Sequence, residues 1–179
     1  MVSLRNFYFL RTLAAFAWVA LASLSSSASR LVVGALLVLY PAWDAVANVI
    51  DARRSGGWQA NPGQKFNALT SIIIAVCMAV VFTLRGNAGG VLVFGVWALL
   101  AGLFQLAVGI RRRKLGGQAF MMISGAQSAL AGVVFSIQAF GATPGIAQLA
   151  PYAAFGGFYF LLSALWLTFR AKQALSPAA

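Results

Sequence analysis

Acidic residues are nearly missing from this 179-residue chain: only Asp44 and Asp51 stand against thirteen lysines and arginines, and there is no histidine. Charge of either sign accounts for 8% of residues, where soluble domains carry roughly 25%. One cysteine, Cys77, excludes an internal disulfide, and its place in an apolar run marks it as a small core residue. Without histidine a zinc or haem site has almost no ligands, so no metal and no cofactor is expected. The same shortage removes the nucleophile–base pairs and the paired carboxylates of hydrolases, so no enzyme is expected.

What the chain does have is apolar length. Hydrophobic residues make up 61% of it. They fall into six stretches, at about 7–24, 31–52, 66–84, 90–110, 119–140 and 151–169. A bilayer's hydrocarbon core asks for ~20 apolar residues per helix, which each stretch supplies. The expected architecture is all-α: one domain over residues 1–179, a six-helix transmembrane bundle with the lipid bilayer as its partner. No length remains for a soluble catalytic domain. The first stretch, with Arg5 and Arg11 before an apolar core and Ser25 to Ala28 after it, has the outline of a secretory signal peptide. With Phe7, Tyr8 and Phe9 included it is long enough to span, and a retained helix is expected.

The net charge of +11 does not point to nucleic acid, because the basic residues lie in short clusters between apolar stretches and not along one soluble face. They behave as topology signals. With an internal amino terminus and six spans, Arg5, Arg11, Arg53, Arg54, Lys65, Arg111 to Lys114, Arg170 and Lys172 fall on the cytoplasmic side, eleven in all, against Arg30 and Arg85 outside. Both termini are expected in the cytoplasm.

The stretch LVVGALLVLYPAWDAVANVIDARR, Leu31 to Arg54, organises the rest. Tyr40, Asp44, Asn48 and Asp51 follow at intervals of four, four and three, which puts them on one helical face. An ionisable group at bilayer depth costs roughly 2.5–3.5 kcal/mol even on a lenient scale, so Asp44 should face the bundle interior. Two roles fit it: a carboxylate that carries a proton or touches a substrate, or a protonated acid hydrogen-bonding a neighbouring helix. No arginine is evident within reach in the membrane, so the neutral form is expected. Pro41, one turn earlier, should kink the helix.

Gly95, Ala98, Gly102, Gln105 and Gly109 are spaced three, four, three and four, a small-residue seam that lets another helix approach closely. The seam fits either an intramolecular contact or a homo-oligomer. Gln105 on that seam, and Gln127 in the fifth stretch, are intramembrane amides; Gln105 could bond Asp44 or some other helix. The candidate polar site is therefore Tyr40, Asp44, Asn48, Gln105 and Gln127.

Residues 47–57 overlay 107–117 at an offset of 60, and 67–76 overlay 124–133 at 57. The period matches a two-helix unit, so repeated helical hairpins running parallel are expected, each closing on a basic cluster. At the first offset Asp44 falls on Phe104, so the polar residues are not strict equivalents.

In its second half the chain carries Gly95-Val-Trp-Ala-Leu-Leu-Ala-Gly-Leu-Phe-Gln-Leu106 followed by Arg111 to Arg113, then Ile123-Ser-Gly125 leading to Gly132, then Gly156-Gly-Phe-Tyr-Phe-Leu161 with Ser163 and Arg170. In these motifs it resembles the HdeD-like membrane proteins; the first half matches only in layout, and Tyr40-Pro-Ala-Trp-Asp44 departs from the pattern. The resemblance implies a six-helix protein of the bacterial inner membrane, non-enzymatic, with a role in acid or envelope stress. A small proton-coupled transporter or channel using Asp44 is the alternative.

Overall fold

The computed structural model describes residues 4–25, 27–111, 119–142 and 144–175. Among them the chain is helical and has no strand. The elements are α1 (Leu4–Leu24), α2 (Arg30–Arg54), a single turn α3 (Gly57–Ala60), α4 (Pro62–Arg111), α5 (Ala119–Gln138), a 3-10 turn (Ile146–Leu149) and α6 (Ala150–Leu175). Four helices are long and apolar enough to cross a membrane, at Leu4–Leu24, Arg30–Arg54, Pro62–Ala107 and Ile146–Phe169, and Met122–Gln138 is a shorter apolar helix. Leu13, Leu31, Ile73, Leu84, Leu130 and Ile137 all point outward, as does Cys77, which corrects its reading as a core residue; this is the surface expected of helices solvated by lipid and not by water.

The gap between the stretches at 66–84 and 90–110, Arg85 to Gly89, contracts to a one-residue turn. Within the 50 residues of α4, only Gly86 leaves helical geometry, at φ 59° and ψ −143°, a backbone that side-chain-bearing residues avoid. The helix doubles back there into two arms, 62–85 and 87–111. In a straight helix residues 71 and 97 would stand about 39 Å apart, yet Trp97 Nε1 reaches Ser71 Oγ at 3.1 Å, and the rings of Phe66 and Phe104 meet at 4.6 Å. The break frees carbonyls at the end of the first arm. Arg30 donates to two of them, Phe82 O at 3.1 Å and Thr83 O at 2.6 Å, and so caps the arm from the start of α2.

The link between the second and third stretches, Ser55 to Asn61, is tightly ordered. Gly56 takes a left-handed turn at φ 98°, α3 follows, and Asn61 Nδ2 holds the carbonyls of Ser55 and Gly57 at 2.7 and 2.9 Å. α2 continues through Pro41, which is buried. Trp18 of α1 donates to Leu36 O at 2.7 Å, one residue before the carbonyl that Pro41 leaves without a donor.

The sequence-adjacent pairs α2–α4 and α4–α5 pack closely, as repeated hairpins require, and α1 departs from its neighbour to pair with α6. α1 packs chiefly on α6, α2 on α4, and α4 on α5, while α1–α2 and α5–α6 touch sparingly. Side-chain size decides this. Gly157 of α6 lets Ala15 and Phe16 of α1 close in, whereas the interiors of the other two pairs carry long polar and aromatic side chains. Phe94, fully buried, forms the hub of an aromatic cluster with Trp18, Tyr40, Trp97, Phe135 and Tyr152, its ring centroid 5.3–6.2 Å from theirs. That cluster fills the bundle on the Gly86 side of its middle.

Candidate functional site

Asp44 does not stand alone. Arg11 Nη2 lies 2.8 Å from Asp44 Oδ1, with the two side chains 15% and 17% exposed. Arg11, Asp44, Ser71 and Trp97 each lie within a turn of the middle of their helix or arm. This corrects two expectations: an arginine is within reach, and Arg11 is not a loop charge. Arg11 sits two turns into α1, with Tyr8 and Ala15 on its face. Its guanidinium lies over the ring of Phe160 in α6, 4.0 Å from the centroid.

The carboxylate is held from three helices. Besides Arg11, Asn48 Nδ2 donates to Asp44 Oδ2 at 3.0 Å and to the Asp44 carbonyl at 2.8 Å, one turn along α2. Ser71 Oγ donates to Oδ2 at 2.9 Å, and the Trp97 indole donates in turn to Ser71 Oγ at 3.1 Å. Because the hydroxyl accepts from Trp97, its own proton is directed at Asp44. All the neighbours of the carboxyl group are donors. That set of donors suits a carboxylate. The pair cancels its own charge, which makes two ionic groups tolerable at this depth.

Beside the pair lies a cavity of about 1400 Å3, walled by α1, α2, both arms of α4, α5 and α6. The sequence-predicted polar residues converge on it. Tyr40, Asp44, Asn48, Gln105 and Gln127 all line it, although no regularity of spacing links the last two to the others. Tyr40 also belongs to the aromatic cluster, edge-on to Trp97 at 5.6 Å. Asp51 lines the same cavity one turn from the end of α2 and accepts from Gln64 Nε2 at 3.3 Å. Aromatic rings, among them Trp43, Phe104, Phe155 and Phe160, complete the walls.

Where α5 and α6 diverge, two phenols span the gap. Tyr159 donates to Gln127 Oε1 at 2.9 Å, and the Tyr152 hydroxyl meets Ser128 Oγ at 2.9 Å. Ser128 also donates to the Ala98 carbonyl at 2.9 Å, tying the bridge to α4.

The small-residue seam is used within the chain. A Cβ on Gly95 would meet Ser136 and the Gly132 carbonyl, and one on Gly102 would meet the backbone of Ala129 and Gly125. Gly125 and Gly132 answer from α5. Ala98 is fully buried between them. Gly109, the last seam position, lies outside the residues whose packing is described, as do the basic cluster from Arg112 to Lys114 and the glycine pair of the second repeat unit.

Arg11, Ser71 and Trp97 are the site residues that sequence reasoning missed. One signal was available for Arg11: an apolar run that includes Phe7 to Phe9 places that arginine inside the span, where it needs an anion. Nothing in the spacing identifies Ser71 and Trp97 as partners of Asp44. Among the described residues no three acids, cysteines or histidines gather where a metal could bind. No family model, curated protein or solved structure matches the chain.

Proposed function

We propose that this protein is a small, non-enzymatic solute transporter of the bacterial inner membrane, with six spans, both termini in the cytoplasm, and protons coupled through Asp44. The observation that carries the reading is the Arg11–Asp44 pair set in the wall of a cavity of about 1400 Å3 near the middle of the helices. Ionisable groups at that depth are costly and are retained mainly where they serve a pathway or a relay. Polar sites in transporters lie near the bilayer midplane between packed helices. With Arg11 assigned to the cavity, the count of flanking basic residues is ten inside against two outside, so the proposed orientation keeps its support. The HdeD-like resemblance fits this reading: a protein that moves protons with a solute alters internal pH, the quantity on which an acid-stress protein acts.

The test is proton flux into proteoliposomes under an imposed gradient. Wild type should conduct or couple protons, and Asp44→Asn, shown by size-exclusion elution to be folded, should not. Equal flux in both, or none in either when an organic anion and an organic cation are each supplied as solute, refutes the reading.

A further inference from the structure

The Arg11–Asp44 pair has an asymmetry that decides which ligand can open it. Any charged solute that engages one partner strands the other. A cation taking Asp44 would leave a bare guanidinium, which cannot shed its proton under any ordinary condition. An anion taking Arg11 would leave a bare carboxylate, which can accept one. Only the second exchange ends with no unpaired charge in the bundle.

Other features of the cavity agree with an anion. Arg11 spends Nη2 on Asp44, but its Nε is buried and has no hydrogen-bond partner. A planar fork with an idle donor matches a second oxygen of a carboxylate or sulfonate. Arg11 is the only basic residue among the described lining residues. The aromatic walls suit an apolar body attached to the anionic group.

We infer, on the transport reading above, that the cavity binds an organic anion with an apolar or aromatic body by exchange: its acidic group replaces Asp44 on the Arg11 guanidinium, and Asp44 takes up a proton. One anion and one proton enter together, so the step is electroneutral and no covalent bond is made or broken apart from the new O–H on Asp44. Asn48 and Ser71 remain to hold the protonated acid. The ionisable groups facing this level are Arg11 from α1, Tyr40 and Asp51 from α2, and Tyr152 and Tyr159 from α6. The arms of α4, and α5, present hydroxyl, amide and indole groups to it.

The probe is benzenesulfonate, which has no titratable proton in the working range, so any proton uptake belongs to the protein. The full chain in nanodiscs, in weakly buffered solution with a pH indicator, should take up about one proton per anion bound. Asp44 competes internally for Arg11, so Asp44→Asn should bind the anion about tenfold more tightly or better, with no proton uptake. Removing Arg11 alone strands Asp44 and risks misfolding. The double variant Arg11→Gln/Asp44→Asn keeps a neutral pair and should lose binding at least tenfold. Binding of benzenesulfonate without proton uptake overturns the exchange. No binding to wild type or to Asp44→Asn, or preferential binding of benzyltrimethylammonium, overturns the anion assignment. If protons still cross proteoliposomes through Asp44 in either of those cases, the transport reading stands and only the anion exchange falls.

Discussion

Replacing Gly102 with alanine adds one methyl group at one of the two tightest glycine contacts among the described residues, and the structure fixes what that methyl meets. Its Cβ would lie 2.3 Å from the Ala129 nitrogen, 2.6 Å from the Gly125 carbonyl oxygen and 2.9 Å from the Ala129 Cα. The first distance is about 1.1 Å short of the 3.4 Å at which ordinary contact begins, and all three neighbours are backbone, which cannot rotate away. The second arm of α4 and α5 must therefore separate, and Ala98, Gly95 and Gly132 lose contact along the same seam. Overpacking of this kind costs about 1–3 kcal/mol, from which a helix-propensity gain of about 0.5–1 kcal/mol must be subtracted. The net loss of up to about 2.5 kcal/mol lowers a thermal midpoint by up to about 10 °C for a chain of this size. Gly63 supplies the control: it too is helical, but a Cβ there meets nothing within 4 Å, so Gly63→Ala should hold or slightly raise the midpoint. Thermal unfolding of both variants in one detergent at one scan rate reads the difference. Gly102→Ala melting at or above Gly63→Ala would refute the claim that this seam is a backbone-to-backbone contact within the chain.

Two further outcomes follow from the geometry. Asp44→Asn and Arg11→Gln should each lower the midpoint, while the double variant should be less damaged than the sum, with a coupling of about 1–3 kcal/mol; additive effects would mean the pair contributes nothing jointly. Gly86→Ala places a side chain where no neighbour obstructs it but where φ is 59° and ψ −143°, so its cost is conformational alone, about 1–3 kcal/mol in the same melting assay; an unchanged midpoint would show that the fold-back of α4 does not depend on that backbone geometry.

Much of the fold could be read in advance because a bilayer constrains helix length more strongly than tertiary packing does. The stretch expected at 31–52 is observed as Arg30–Arg54, and the one at 119–140 as Ala119–Gln138. The polar face of α2 was equally legible, since residues four apart on a helix share a face whatever lies opposite. The seam's small residues could be recognised by spacing, but spacing states a preference for close approach without naming the partner, and only the facing glycines of α5 supply it. Arg11 was misjudged because a basic residue near the start of a span reads as a topology signal until its depth is known. Ser71 and Trp97 carry no mark of their roles: their bond joins two arms of α4 whose register depends on where Gly86 bends the chain, and a Gly-rich turn of five residues leaves that register open by several positions. The preference of α1 for α6 over α2 is likewise a property of surfaces that only meet after folding.

The ion pair between α1 and α2 bears on how the chain enters its membrane. α1 leaves the ribosome before α2, with Arg11 in its interior and no acid of its own. A lone arginine at mid-helix costs about 2.5–3.5 kcal/mol to insert, a burden on a segment whose mean hydropathy is only 1.6. Asp44 arrives 33 residues later, by which time most of α2 has been made. The two helices thus relieve each other's penalty and are best released into lipid as a couple. The contact that lines the mature cavity therefore also favours joint entry of α1 and α2 into lipid.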